Sequence, residues 1–317
     1  MATQGKPRWY KPDAGLAARM VLTMFLLGLV YVVFAVVLAF LHVPWYLLVI
    51  GALVIAGFQL FFSDKIALAS MKAQFVDEQQ APQLHDMIGR LAAQANLPKP
   101  KIAIVDTQLP NAFATGRDAN HAVIAITTGL LKGSGLTEPE IEAVVAHELT
   151  HIINRDMLVM TIATFFSMIA SLIVRSFIWS SMFGGYGGGY GRRDNNDNSG
   201  MFVLIALLAS VITYVVSFIL IRALSRYREL AADRGSALIT GAPEHLASAL
   251  MRISGTIESG RIPKQDLRQA ETVNALFIVP ALRGDSLATL FSTHPSLEQR
   301  LAQLQEMQRQ MESARNL

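Results

Sequence analysis

The chain has 317 residues, 52% of them hydrophobic and only 16% charged, with a net charge of +3 and no cysteine. That much apolar character is unusual for a soluble protein of this length, so membrane-spanning segments are expected. The small charge and the lack of any Lys/Arg block exclude a polynucleotide partner, and the absence of cysteine excludes disulfides, thiol catalysis and iron–sulfur clusters, leaving His and carboxylates as the only metal ligands.

Residues 1–19 carry Lys6, Arg8, Lys11 and Arg19. Residues 20–41 contain no charged side chain and, at about 1.5 Å per residue, can cross the roughly 30 Å hydrocarbon layer. A second apolar run, 45–62, ends before Asp64 and Lys65, so 20–62 is read as a transmembrane hairpin turned at Pro44. No Ala-x-Ala pattern follows the first run, which is therefore expected to be an anchor and not a removed signal peptide.

Residues 63–156 have soluble character, with helical spacing over 83–95 and short strands at 101–106 and 122–127. Hydrophobicity returns over 157–182, interrupted by Arg175, and over 201–221, giving a third and a fourth span within 157–221. Between them 183–200 is rich in Gly, Asn and Ser and reads as a flexible loop. Residues 222–317 are soluble and helical, with breaks at 241–243 and near Pro280, and are expected to complete one domain with 63–156. Lys65, Lys72, Arg155, Arg222, Arg226 and Arg228 fall on the same side as the N-terminal cations, which predicts that both termini and both soluble stretches are cytoplasmic.

The chemistry is concentrated at 137–151. Thr137, Pro139 and Glu140 form a helix start with capping-box spacing, and the helix then carries His147 and His151. Their i, i+4 spacing puts both imidazoles on one face a turn apart, as two ligands of a tetrahedral zinc require. Glu148 is placed to take a proton from a water beside them and later deliver it to the leaving amine. Such a five-residue pattern also arises by chance, so its surroundings must decide.

A third protein ligand is needed. The His-Glu-x-x-His-x-x-Gly-x-x-His variant is excluded, because Asn154 and Met157 occupy its glycine and last histidine. The next glutamate after Glu148 is Glu229, which shares a helical face with Asp233. Either Glu229 binds the metal while Asp233 orients a ligand histidine, or the two belong to an arginine–carboxylate cluster on a solvated juxtamembrane helix. His42, His85, His121 and His245 stand apart from carboxylate clusters and are expected to be surface or interface residues.

The stretches 111–116 (Asn-Ala-Phe-Ala-Thr-Gly), 127–131, 147–156, 225–233 and 293–300 resemble, in order, the HtpX family of membrane-integral zinc endopeptidases, relatives of the prenyl-protein endopeptidases. The resemblance implies an α+β, zincin-like (thermolysin-like) domain combined with about four transmembrane helices. It implies one Zn2+ per subunit, Glu229 as third ligand, and Asp233 and Asp156 as partners of the ligand histidines. The implied place is the cytoplasmic face of a bacterial inner membrane, and the implied substrates are damaged or unfolded membrane proteins under envelope stress. The Gly-rich loop departs from the family pattern.

His294 either donates a hydrogen bond to the oxyanion, as the family pattern suggests, or precedes Pro295 at the start of the last helix. A substrate-pairing sheet edge is sought at 122–127, with Ala122, Val123 and Ile124 in the strand and Asn111 leading into it; both segments can equally be interior sheet. No phosphate-binding Gly-x-x-x-x-Gly-Lys-Ser/Thr loop is present, so ATP is not expected to be used. A prenyl-protein endopeptidase would share the site but need more membrane helices, and a zinc-binding membrane scaffold or chaperone would have no use for Glu148.

Overall fold

The protein is described here from a computed structural model covering residues 13–40, 45–183, 199–259, 262, 263, 266, 278 and 294–315. Helices α1 (Ala14–Phe40) and α2 (Trp45–Ser70) form the first pair. α1 begins earlier than its apolar run because Asp13 Oδ1 accepts from Leu16 N–H at 2.8 Å, capping the first turn. α2 does not stop at Asp64 and Lys65. It runs on to Ser70, and Leu68 and then Met71 enter the core beneath the sheet.

Among the described residues three helices are long and apolar enough to cross a membrane: Ala14–Phe40, Val49–Ser70 and Leu204–Thr240. Helix α5 (Asp156–Phe183) has 28 residues, and its fully described apolar stretch, Asp156–Phe165, is shorter than a span. Large apolar side chains along α1, α2 and α6 face outward, Phe25, Val54 and Ile212 among them, which is the surface a bilayer covers. α1, α5 and α6 (Ser199–Thr240) meet through Leu27, Tyr31, Ala163 and Leu224, and the Tyr31 hydroxyl donates to the Ala163 carbonyl at 2.6 Å. The greater part of the Gly-rich loop and the break expected near Pro280 lie outside the described residues.

The sheet contains β1 (Gln74–Phe75), β2 (Lys101–Val105), β3 (Ala112–Thr115) and β4 (Val123–Thr127), in the order β1-β2-β4-β3. β4 runs parallel to β2 and antiparallel to β3. Alternation divides its side chains between two cores. Ile124 and Ile126 face α3 (Pro82–Gln94) and α4 (Glu138–Ile153), whereas Val123 and Ala125 face Leu68 of α2 and Met71 just beyond it. A strand covered on both faces reads as an aliphatic run, as Val123–Ile126 of β4 does.

This order corrects the expected substrate strand. β4 is bonded on both sides, and the Ala122 carbonyl accepts from Lys101 N–H at 3.0 Å, so Ala122, Val123 and Ile124 offer no free backbone edge. The outer strand on that side is β3, with Asn111 buried at its start.

α4 begins as its sequence predicts: Glu140 Oε2 accepts from the Thr137 N–H at 2.7 Å and from its hydroxyl at 2.9 Å. It crosses α6 at close range. A Cβ on Gly235 would lie 2.3 Å from the Thr150 side chain, and Ser236 Oγ donates to the Ala143 carbonyl at 2.6 Å. The left-handed Gly241 (φ 68) ends α6, Pro243 opens α7 (Pro243–Glu258), and α8 (Leu297–Arg315) closes the described chain.

Candidate metal centre

The α4–α6 crossing fixes the site. His147 and His151 project from α4 toward the α6 turn that carries Glu229 and Asp233. The Nε2 atoms of the two histidines are 3.2 Å apart. Glu229 spans both, with Oε2 3.7 Å from His147 Nε2 and Oε1 3.6 Å from His151 Nε2. Ligands on one tetrahedral ion with bonds of about 2.0–2.2 Å stand about 3.3–3.6 Å apart, so these three groups are spaced as a first coordination sphere.

The other ring nitrogens explain why the two Nε2 atoms face each other. His147 Nδ1 lies 2.9 Å from Asp233 Oδ1, and His151 Nδ1 lies 2.6 Å from Asp156 Oδ2. Carboxylates at those positions draw the N–H to Nδ1 and leave both Nε2 lone pairs aimed at one space, an arrangement that a cation relieves. His151 reports the same field. Burial alone would lower its pKa, yet the Asp156 hydrogen bond and the Glu229, Asp156 and Glu148 carboxylates push it up to about 9.

Glu148 is buried beside His147 and is held differently from Glu229. Its Oε2 accepts from the Ala114 N–H of β3 at 2.8 Å, tying the carboxylate to the outer strand. Burial raises its pKa above the ordinary value, against the pull of the His147 and His151 imidazoles. His147, Glu148 and His151 together can hold a metal ion, each offering one atom within 4.8 Å of the others. Glu229 also lies against both imidazoles, 3.7 Å from His147 Nε2 and 3.6 Å from His151 Nε2.

His294 is also brought in, buried, with Nδ1 3.2 Å from Glu229 Oε2. It does lie ahead of Pro295 and α8, as the alternative reading had it, yet it touches the candidate ligand. Asn111 is buried ahead of β3, and its Oδ1 accepts from Ile278 N–H at 2.9 Å.

Sequence reasoning missed Arg300 and Arg228. Arg300 is buried, donates through Nε (2.8 Å) and Nη2 (2.6 Å) to Asp233, and through Nη1 (2.5 Å) to the Ile278 carbonyl. Arg228 Nε is 3.0 Å from Asp156 Oδ1. Each arginine pairs with a carboxylate that faces one of the two histidines. Arg228 was visible as one of the cations flanking Glu229, but no local spacing pairs Arg300 with a residue 67 positions away.

Residues 78–308 match peptidase family M48. The chain is 52% identical over 303 residues to the Protease HtpX homolog of Moorella thermoacetica, covering 96% of this chain and 98% of that protein. It is 54% identical over 308 residues to Protease HtpX homolog 2 of Methanosarcina acetivorans, covering 96% and 99%. The crystal structure of S. mikatae Ste24p is similar in fold, with a TM-score of 0.53 at 19% identity over 92% of this chain and 67% of that one. Convergent imidazoles, a buried carboxylate beside them, membrane-length helices and kinship at this level agree, and the chain belongs to peptidase family M48 as a membrane metalloendopeptidase.

Proposed function

We propose that the protein is a zinc endopeptidase that cleaves damaged or unfolded membrane proteins from the cytoplasmic side of the membrane, in quality control under envelope stress. The observation that carries the reading is the convergence of His147, His151 and Glu229 at 3.2–3.7 Å with Glu148 alongside. Two imidazoles and a carboxylate suit zinc best among common divalent ions. His147, His151 and Glu229 would hold one zinc ion per subunit, which would supply Lewis acidity at the scissile bond.

The chain's own residues do the rest. Glu148, steadied by Ala114 N–H, takes the proton from the attacking water and returns it to the leaving amine. His294 donates to the developing oxyanion. Asp233 and Asp156 keep the ligand histidines in the tautomer that binds metal, and Arg300 and Arg228 hold those carboxylates in place. The extended substrate pairs with β3, the outer strand, in place of the interior β4.

Four spans, with α5 as the third, put both termini and both halves of a zincin-like domain (63–156 and 222–317) on the cytoplasmic side. The support is the distribution of Lys and Arg at the helix ends. The relatives' name, protease, supports polypeptide substrates. The test compares the zinc-loaded protein with Glu148→Gln on an unfolded membrane-protein substrate. A general base contributes about 10²–10⁴-fold, so the variant should lose at least a hundredfold in kcat and keep its metal. Equal cleavage by both refutes the assignment.

A further inference from the structure

The hairpin joining β3 to β4 is locked by its own residues. Gly116 has φ +126, and a Cβ there would sit 2.4 Å from the His121 carbonyl oxygen, so only glycine fits. Asp118 Oδ1 accepts from Asn120 N–H at 2.9 Å and His121 N–H at 3.1 Å, and it lies 2.7 Å from His121 Nδ1. Arg117 lies across this knot, with Nη2 2.6 Å from His121 Nε2 and Nε 3.4 Å from Asp118 Oδ2. Held in this way, its guanidinium faces the Phe61 ring of α2, 5.4 Å from the centroid.

Phe61 lies at the end of the charge-free apolar run of α2. Phe58 stacks on Phe62 at 4.8 Å, and Lys65 Nζ stands 5.2 Å from the Phe62 centroid. Beyond that level Leu68 of α2 and Met71 just after it pack in one cluster with Phe113 of β3. β3 therefore descends along α2 toward the membrane, with Phe113 beside Leu68 and Met71 and Arg117 beside Phe61. Between those two contacts Ala114 bonds the carboxylate of Glu148.

We propose that Arg117 and Phe61 form a clasp that holds the open side of β3 as a rail from the bilayer surface to the metal centre, making the enzyme selective for polypeptides anchored in the membrane next to the scissile bond. The proposal deepens the endopeptidase reading and rests on it. Extended chain advances about 3.3 Å per residue, so Ala114 and Arg117 are about 10 Å apart along the rail. A polypeptide leaving the bilayer at the clasp reaches Glu148 within a few residues. Its anchor keeps it there, which raises its effective concentration at β3. An unanchored chain pairs with the same strand without that advantage. Arg117 and Phe61 touch no reacting atom, and their role is to position β3.

The experiment places the full-length zinc-loaded protein in liposomes. It measures kcat/KM for a single-span substrate with an unfolded cytoplasmic tail and for the same tail without the span. The wild type should prefer the anchored form. Arg117→Ala and Phe61→Ala should each lower cleavage of the anchored substrate about two- to fivefold, the size of one cation–π contact, and lower cleavage of the free tail by less, so that the preference for the anchored form shrinks. Arg117→Lys should restore most of the loss. Lengthening a polar spacer between span and cleaved segment should move cleavage to stay within a few residues of the span. An equal fall on both substrates, no fall on either, or cleavage insensitive to the spacer overturns the clasp while the endopeptidase reading stands. Failure of the wild type to cleave either substrate overturns both.

Discussion

Arg300→Met removes one side of a buried ion pair whose other side, Asp233, is fully enclosed and sits against His147. The wild-type guanidinium makes two hydrogen bonds to Asp233 and one to the Ile278 carbonyl. Breaking such a pair from one side costs about 3–5 kcal/mol, because the remaining buried charge has no water and keeps only the His147 ring N–H. For a domain of this size that corresponds to a fall in Tm on the order of 10 °C. Metal affinity should drop about 10–100-fold as Asp233 loses its hold on the His147 ring. Arg300→Lys keeps the charge but not the fork, and should fall between the two. Adding Asp233→Asn to Arg300→Met removes the orphaned charge, so stability should recover substantially while metal affinity does not, since an amide no longer draws the Nδ1 proton. The assays are thermal unfolding of the apo-protein in detergent and zinc content after dialysis against a graded chelator series. An Arg300→Met protein that melts within about 2 °C of wild type and holds zinc equally well would refute the argument, since that shift is under about 1 kcal/mol.

Glu229→Ala should lose the metal under dialysis conditions in which Glu148→Gln retains it, and retention by both would remove Glu229 from the ligand set. Gly235→Ala places a methyl group 2.3 Å from the Thr150 side chain, so α4 and α6 must part. Overpacking of that kind costs about 1–3 kcal/mol, and here it also weakens zinc binding, measurable in the same chelator series. Glu140 accepts from Thr137 and from Ser248 Oγ (2.5 Å) and faces Arg252. Burial would raise its pKa, but the Ser248 and Thr137 hydrogen bonds and the Arg252 charge win, holding it below the ordinary value. Its folded pKa being depressed, the stabilisation is present above the unfolded carboxylate pKa and lost as pH falls through the folded one. Glu140→Gln should therefore be less stable at neutral pH, by about 1.5–3 kcal/mol for charge-assisted bonds, and converge on wild type in strong acid. A constant gap across that range would refute the linkage.

What the sequence made legible was local. The α4 start at Thr137 and Glu140 and the i, i+4 histidines are short-range patterns, and the structure reproduces them. The short strands at 101–106 and 122–127 were recognisable from their aliphatic runs. Strand order was not, because it depends on how the chain crosses over, and the interior position of β4 is a tertiary fact. Asp64 and Lys65 looked like the end of a helix because they end an apolar run. α2 continues past them since Leu68 and Met71 have a second core to enter. The apolar run at 201–221 and the helical stretch with Glu229 were read as neighbours, and they are one helix. Arg300 was hidden by its 67-residue separation from Asp233.

The groups that complete the metal centre do not come from the same part of the chain as its histidines. His147 and His151 belong to a short soluble helix, but Asp156 opens α5, and Glu229 and Asp233 ride on the 42-residue α6 that continues out of the apolar segment. The carboxylates that face His147 therefore sit on the same continuous helix as a segment long and apolar enough to cross a membrane, and they move as one body with it. A tilt or bend of α6 in its apolar length is felt at the histidines, so the choice of detergent or lipid becomes a variable of site geometry as much as of solubility.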